Sequence, residues 1–188
     1  LAWHILEWLT ENTEYDYERA GRISYDIYDP ITFYKLRKGV CRDYAMFTAT
    51  ALLAGGAKEA YIIDLVTDRG PHMAAAMEIN GTLFILDQHL PPYEWADYIQ
   101  YVFKVDPGSR IVLTKVSLDK NGMAKVEVYR YRFEEFNRLH PDTYPLDKTP
   151  REVIVEAAKA VAERASAKFY ENCEEMGEIH GGACISCG

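Results

Sequence analysis

Apolar residues along this chain follow two patterns, one typical of helices and one typical of strands. Residues 2–11 carry an apolar stripe with a helical period, and a small apolar run at 46–54 stops at a glycine pair. Later runs rich in β-branched and aromatic residues predict strands at 59–68, 70–79, 82–88, 110–116 and 124–131. The segment 12–37 lacks a period, and Asp29-Pro30 favours an extended chain, so a loop with at most a short helical turn is predicted there.

The Asn-Gly pair at 80–81 predicts a tight hairpin, because a type I′ turn needs positive φ at both central positions. A two-residue loop pairs Ile79 with Thr82. In that register His72 and Asp87 project from the same face of the sheet as diagonal neighbours, about 7–8 Å apart at the backbone. A slip of one residue would place them on opposite faces.

Two further features lie on this predicted face. His89 would stand directly opposite His72, which makes it the alternative to His72 as a base. Ala74 and Ala76 are small and leave room for a helix to approach.

Cys41 stands in or just before the first turn of the helix predicted up to Gly55-Gly56. The amide dipoles of a helix start favour a thiolate there, so a lowered thiol pKa is expected. A buried cysteine that acts only as a small hydrophobe is the simpler alternative. His72 and Asp87 favour chemistry, because a thiol acyl-transfer site needs a nucleophile, a histidine that moves its proton and a carboxylate that orients the ring.

These residues resemble the transglutaminase-like superfamily of papain-type thiol enzymes, in particular its small archaeal members with predicted protease activity. The matching features are Gly39-Val40-Cys41-Arg42-Asp43-Tyr44-Ala45, the glycine pair at 55–56, His72 opening one strand and Asp87 ending the next. The resemblance covers about residues 5–91 and implies an α+β fold, with the cysteine helix packed on an antiparallel sheet. It further implies acyl transfer from an amide through a thioester, to water or to an amine. An aromatic residue that family members often carry after the histidine is replaced here by Met73.

Composition limits the partners. The 188 residues carry a net charge of −8, which repels nucleic acid and anionic membranes on average, so a peptide or protein substrate is expected instead. No apolar run is long enough for a membrane span. With Cys41 set aside as the nucleophile, three cysteines remain and do not suggest a fully paired disulfide framework, so we predict a reducing, cytoplasmic location. The chain begins at Leu1 inside a helical pattern, and an upstream segment could have been trimmed.

The C-terminal part is predicted to hold one more helix and a cysteine-rich tail. Thr149-Pro150-Arg151-Glu152 combines a capping box with proline at the first helical position. We assign residues 1–172 to the catalytic domain and 173–188 to the tail. The tail offers a ligand set suited to structural zinc, formed by Cys173, His180, Cys184 and Cys187. A mobile tail, or a disulfide between the last two cysteines, is the alternative, and catalysis itself needs no cofactor.

Three functions fit this pattern. Hydrolysis of peptide or side-chain amides by a Cys41, His72 and Asp87 triad is the favoured one, because nothing in the sequence predicts that water is excluded. Transfer to an amine, as in a protein-glutamine transglutaminase, uses the same triad. A non-catalytic peptide-binding module would keep the fold but would have no need of all three side chains.

Overall fold

A six-stranded antiparallel sheet, covered by helical segments on both faces, forms the centre of the molecule in this computed structural model, which describes residues 1–22, 26–103 and 105–141. The predicted helix that begins near Pro150 and the tail at 173–188 lie outside the described residues. The boundary that we assigned at residue 172 lies there too.

The helices precede and follow the strands of this sheet. Their bounds are α1 Ala2–Asn12, α2 Tyr17–Ala20, α3 Pro30–Leu36, α4 Cys41–Ala54, α5 Trp95–Asp97 and α6 Phe133–Leu139, with a π-helical turn at Tyr98–Val102 directly after α5. Helix α4 is the predicted cysteine helix, and it begins at Cys41 and ends before the glycine pair as expected. None of the helices in the described ranges is both long and apolar enough to cross a membrane.

The strands form one small and one large sheet. Their bounds are β1 Glu14–Tyr15, β2 Lys38–Gly39, β3 Glu59–Thr67, β4 Gly70–Ile79, β5 Thr82–Leu86, β6 Tyr93–Glu94, β7 Arg110–Leu118 and β8 Ala124–Arg132. Strands β1 and β2 pair in parallel, and the large sheet has the order β6-β5-β4-β3-β7-β8. The predicted α+β fold is confirmed.

The β4–β5 hairpin has the predicted register. Ile79 pairs with Thr82, and the pairing continues to Ala75 with Leu86. Asn80 and Gly81 have φ values of 53° and 83°, which is the positive φ that a two-residue turn of this type requires.

The two faces of the sheet bury different partners. Helix α4 packs, together with α1 and α3, on the face that carries Ile62, Ala75 and Leu86. The opposite face carries Ala74 and Ala76 and is covered by the segment from α5 to residue 103 and by α6. A helical segment therefore does approach the small residues of the predicted face, but the body of the cysteine helix lies on the other side.

The loop predicted for 12–37 is wrong in its second half. Asp29 is extended, and its carboxylate accepts hydrogen bonds from the amides of Ile31 and Thr32 at 3.0 and 3.1 Å. The Asp-Pro pair is thus the N-cap and first residue of α3, a helix start that the sequence also allows. The extended backbone that proline imposes on Asp29 is the geometry of an N-cap residue.

Candidate active site

Cys41 is the first residue of α4 and is half-buried. Val40 before it is extended, with φ of −111° and ψ of 172°, so the backbone turns into the helix at the cysteine. Cys41 therefore stands in the first helical turn, the position that the sequence predicted.

His72 and Asp87 form a buried hydrogen-bonded pair. His72 Nε2 lies 2.9 Å from Asp87 Oδ2, and only 2% and 8% of the two side chains are exposed. Asp87 follows the last residue of β5, and Gln88 after it has a positive φ of 55°, so the chain turns away immediately beyond the carboxylate. The pairing of side chains predicted from the hairpin register is present in the structure.

His72 lies in a part of β4 that, within the described ranges, has no strand neighbour on one side. The last pair of the hairpin is Ala75 with Leu86, so in the described residues β4 has no strand neighbour on that side from residue 70 to 74. His72 lies in this part of β4, and its proximity to the Cys41 thiol contributes to raising the pKa of His72. Nε2 is bonded to Asp87, and Nδ1 is buried without a hydrogen-bond partner of its own in the part of the chain that the structure describes, so Nδ1 is the nitrogen available to the sulfur.

The electrostatics of the pair favour its charged form. Burial alone would lower the pKa of His72, but the charge and hydrogen bond of Asp87 outweigh burial and raise that pKa well above its ordinary value. Burial alone would raise the pKa of Asp87, yet the charge of His72 and the hydrogen bonds from His72 and Tyr98 lower it. An imidazolium beside a carboxylate is therefore the stable state at neutral pH.

Two aromatic side chains hold this pair in place, and neither was predicted. The Tyr98 hydroxyl donates to Asp87 Oδ2 at 2.7 Å, and the Tyr98 ring is fully buried. Phe103 stacks on the His72 ring with centroids 4.8 Å apart and planes inclined by 20°. Tyr98 and Phe103 also stack on each other, at 6.3 Å and 9°. Both residues lie in the segment after Pro91-Pro92, which is rich in aromatic residues but carries no pattern that names a partner.

The structure places the other residues of interest in different surroundings. His89 does not pair with His72 across the hairpin, because β5 ends before the pairing could extend that far. Burial lowers the pKa of His89, although the charge of Asp87 partly offsets that effect. Trp95 packs in the core against the sheet. The predicted zinc ligands at 173–188 lie outside the described residues, and among the described ones no group of three or more His, Cys, Asp and Glu side chains forms a metal site.

Comparison with known protein families assigns the larger part of the chain to one family. The family model described as transglutaminase-like domain matches residues 1–129, more than half of the chain. The chain belongs to the transglutaminase-like domain family. The matched range contains Cys41, His72 and Asp87 and ends within β8 of this transglutaminase-like domain.

Individual relatives of the domain are archaeal. A UPF0252 protein from Archaeoglobus fulgidus is 37% identical over 139 residues, which cover 64% of this chain and 43% of the relative. A UPF0252 protein from Pyrococcus horikoshii is 40% identical over 142 residues, covering 74% of this chain and 42% of the relative. The domain therefore matches less than half the length of either relative. Among solved structures, calcium-bound LapG of Legionella pneumophila has a TM-score of 0.44 and 15% identity, over 86% of this chain and 76% of LapG.

Proposed function

We propose that this domain is a thiol-dependent acyl-transfer enzyme that acts on peptide or side-chain amides and, in the simplest case, hydrolyses them. Cys41 is the nucleophile, His72 moves the proton, and Asp87 holds the imidazole ring. The observation that carries the proposal is the buried His72–Asp87 pair, with Nε2 2.9 Å from Asp87 Oδ2, close enough to Cys41 for the thiol to raise the pKa of His72.

The chemistry follows from the charge state of the pair. His72 already holds the proton of the Cys41 thiol as an imidazolium before substrate binds, and the Cys41 thiolate attacks the amide carbonyl carbon. The tetrahedral intermediate collapses when the imidazolium protonates the leaving nitrogen, which releases an amine and leaves a thioester on Cys41. Water, deprotonated by His72, then attacks the thioester and releases the acid and the thiol.

The oxyanion of each tetrahedral intermediate needs a preorganised donor. The backbone amide of Cys41 is our candidate, because it belongs to the first turn of α4 and needs no rearrangement during the reaction. The chain turns into the helix at this residue, which brings the amide and the thiol to the same end of α4.

Asp87 supports this proposal over a peptide-binding module. A binding module has no use for a carboxylate that is almost fully buried and held by both His72 and Tyr98. Burying such a charge is unfavourable unless it is paired, so the pair makes chemical sense where a proton must be moved. Amine transfer remains the second candidate function, because the same three side chains serve it and only the acceptor of the thioester differs.

Digestion of a peptide library, followed by mass spectrometry of the products, tests the proposal. Incubation with the full chain is expected to give cleaved or deamidated peptides, and Cys41→Ser is expected to remove every such product. Adding a primary amine at high concentration separates the two acyl acceptors, since transfer would yield amide adducts in place of acids.

His89→Ala is the matched control for the identity of the base. It removes a histidine close to the same carboxylate but is expected to retain product formation, whereas His72→Ala is expected to abolish it. Products that survive in Cys41→Ser, or that are lost in His89→Ala but kept in His72→Ala, would refute the assigned roles.

A further inference from the structure

Asp43 lies two residues after Cys41 and is completely buried, although it carries a charge. Its carboxylate accepts hydrogen bonds from the Val40 amide at 2.8 Å and from the Tyr28 amide at 2.7 Å. A buried carboxylate is tolerated only when its oxygens are satisfied and its charge is paired. The residues around Asp43 meet both conditions.

Arg19 supplies the opposite charge from outside the helix. Its Nη1 donates to Asp43 Oδ2, and its Nη2 lies 3.4 Å from Oδ1, so the guanidinium faces both carboxylate oxygens. The Arg19 side chain is 11% exposed, and its guanidinium carbon lies 3.8 Å from the centre of the Tyr28 ring. The carbonyl of Asp26 accepts a further hydrogen bond from Nη2. Such a two-pronged pair fixes geometry as well as charge.

The pair encloses the backbone of the nucleophile. The same carboxylate binds the amide of Val40, immediately before Cys41, and belongs to a residue in the first turn after it. Gly39 packs so closely that an added Cβ would lie 3.0 Å from the Asp43 Cβ. The start of α4 is therefore tied at both sides of Cys41 to one buried ion pair.

The sign of the charges matters for the thiolate. A lone carboxylate so near Cys41 would oppose a negative charge on the sulfur, and Arg19 cancels that effect. Tyr44, buried beside Asp43, has its pKa raised mainly by burial and so contributes no charge at neutral pH. Arg42 carries a positive charge nearby, but its Nε donates to the Asp26 carbonyl at 2.7 Å and not to the carboxylate.

We propose that Arg19 and Asp43 are positioning residues of the active site. Their ion pair holds the Cys41 end of α4 in place, and Arg19 neutralises the Asp43 carboxylate, which is fully buried two residues after the nucleophile. The inference rests on the proposed role of Cys41 as the nucleophile. It assigns to the pair a role in thiol ionisation in addition to its role in joining the 16–28 segment to α4.

Cys41 alkylation by iodoacetamide across pH 5–9 tests this proposal, with mass spectrometry of the tryptic peptide that contains Cys41 so that the other cysteines do not interfere. Arg19→Met leaves the carboxylate uncompensated, so the midpoint of the pH–rate curve is expected to rise by about one pH unit. Asp43→Asn leaves the guanidinium uncompensated, so the midpoint is expected to fall. The double variant is expected to return most of the way to the wild-type midpoint.

If the pair only held the two segments together, breaking it from either side would shift the midpoint of the pH–rate curve in the same direction. Opposite shifts therefore indicate that the charges act on the thiol. Arg19→Lys keeps the charge and is expected to keep the wild-type midpoint. Arg22→Met is the matched surface control, because Arg22 pairs only with the exposed Glu18 among the described contacts, and it should leave the curve unchanged. If Arg19→Met does not fold, Arg19→Gln gives the same comparison, since it can still donate hydrogen bonds to Asp43 without the charge.

The outcomes separate this inference from the proposed function. A reactive, His72-dependent Cys41 whose midpoint is the same in all the Arg19 and Asp43 variants, or shifts in one direction in all of them, would overturn the inference and leave the proposed function standing. Opposite shifts in a protein that forms no product from any amide would support the inference and refute the enzymatic proposal.

Discussion

The β4–β5 and β7–β8 hairpins, connected by two and by five residues, lie in different environments. Both turn at an Asn-Gly pair, and both contain an acidic side chain paired with a cation. In β4–β5, His72 and Asp87 are 2% and 8% exposed, and helical segments cover both faces of the strands. In β8, which lies at the sheet edge, Lys125 and Glu127 are 68% and 33% exposed.

This difference shows that burial, and not pairing alone, determines how strongly the two partners of an ion pair affect each other. Water screens the Lys125–Glu127 pair, and such surface pairs contribute little to stability. The His72–Asp87 pair is shielded, so each partner strongly shifts the pKa of the other. Burial of the His72–Asp87 pair is therefore what distinguishes it from the exposed pair in β8.

Removal of the carboxylate from each ion pair should give the largest difference in stability between the two hairpins. Asp87→Ala leaves a buried imidazole and the Tyr98 hydroxyl without their acceptor, so a loss of about 3 kcal/mol in the free energy of unfolding is expected. Glu127→Ala in β8 is expected to leave the urea midpoint unchanged. Urea unfolding of both variants checks the contrast, and equal losses would contradict it.

The pH dependence of stability should come from the buried hairpin. His72 has a raised pKa in the folded state, so the folded protein holds a proton that the unfolded chain loses above the ordinary value of 6.5. The stabilisation is complete below that pH and is lost as the pH rises toward the raised pKa, by about 1.4 kcal/mol per pH unit. Asp87→Asn removes the cause of the shift, so its unfolding free energy should vary less between pH 7 and 9. A parallel decline in both proteins would argue against the coupling.

Removal of one tyrosine hydroxyl from each hairpin environment should have a smaller effect on stability. Tyr98→Phe removes the hydroxyl that donates to Asp87 Oδ2, keeps the ring, and is expected to cost about 1–2 kcal/mol. It should also raise the pKa of Asp87, and thus move the acid limb of any activity profile to higher pH. Tyr129→Phe removes a hydroxyl that donates to the exposed Glu127 and should change neither quantity. A Tyr98→Phe protein with wild-type stability and acid limb would show that the hydroxyl is dispensable.

Substitution of the turn glycine should destabilise both hairpins to the same extent, so the turns do not contribute to the difference between them. Gly81 and Gly122 have φ values of 83° and 78°, and an added Cβ would meet nothing within 4 Å at either site. Alanine at either position should therefore cost only the strain of positive φ, about 1 kcal/mol. Thermal unfolding of the two variants measures this, and a much larger loss at Gly81 would mean that the buried hairpin transmits turn strain into the core.

Sequence reasoning predicted what local rules control. The Asn-Gly turn fixed the β4–β5 register and with it the face shared by His72 and Asp87, and the glycine pair marked the end of α4. The Asp29-Pro30 pair was misinterpreted because the same residues suit an extended loop and a capped helix start, and only the packing of Phe33 in the core favours the helix.

The supporting residues could not be predicted because they act over long sequence separations. Tyr98 reaches Asp87 from a segment beyond the hairpin, and Arg19 reaches Asp43 across 24 residues. Neither contact leaves a periodic pattern in the sequence. The side of the sheet that α4 occupies was equally hidden, since small residues stand on both faces of β4: Ala74 and Ala76 on one and Ala75 on the other.

The central claim is that folding makes His72 activate Cys41. The most direct measurement is the rate at which iodoacetamide alkylates the Cys41 peptide at pH 6–7, in the wild type, His72→Ala and His89→Ala. We predict that the wild-type thiol reacts faster than a model thiol, that His72→Ala loses this advantage and that His89→Ala keeps it. Equally slow alkylation in the wild type and His72→Ala would contradict the account.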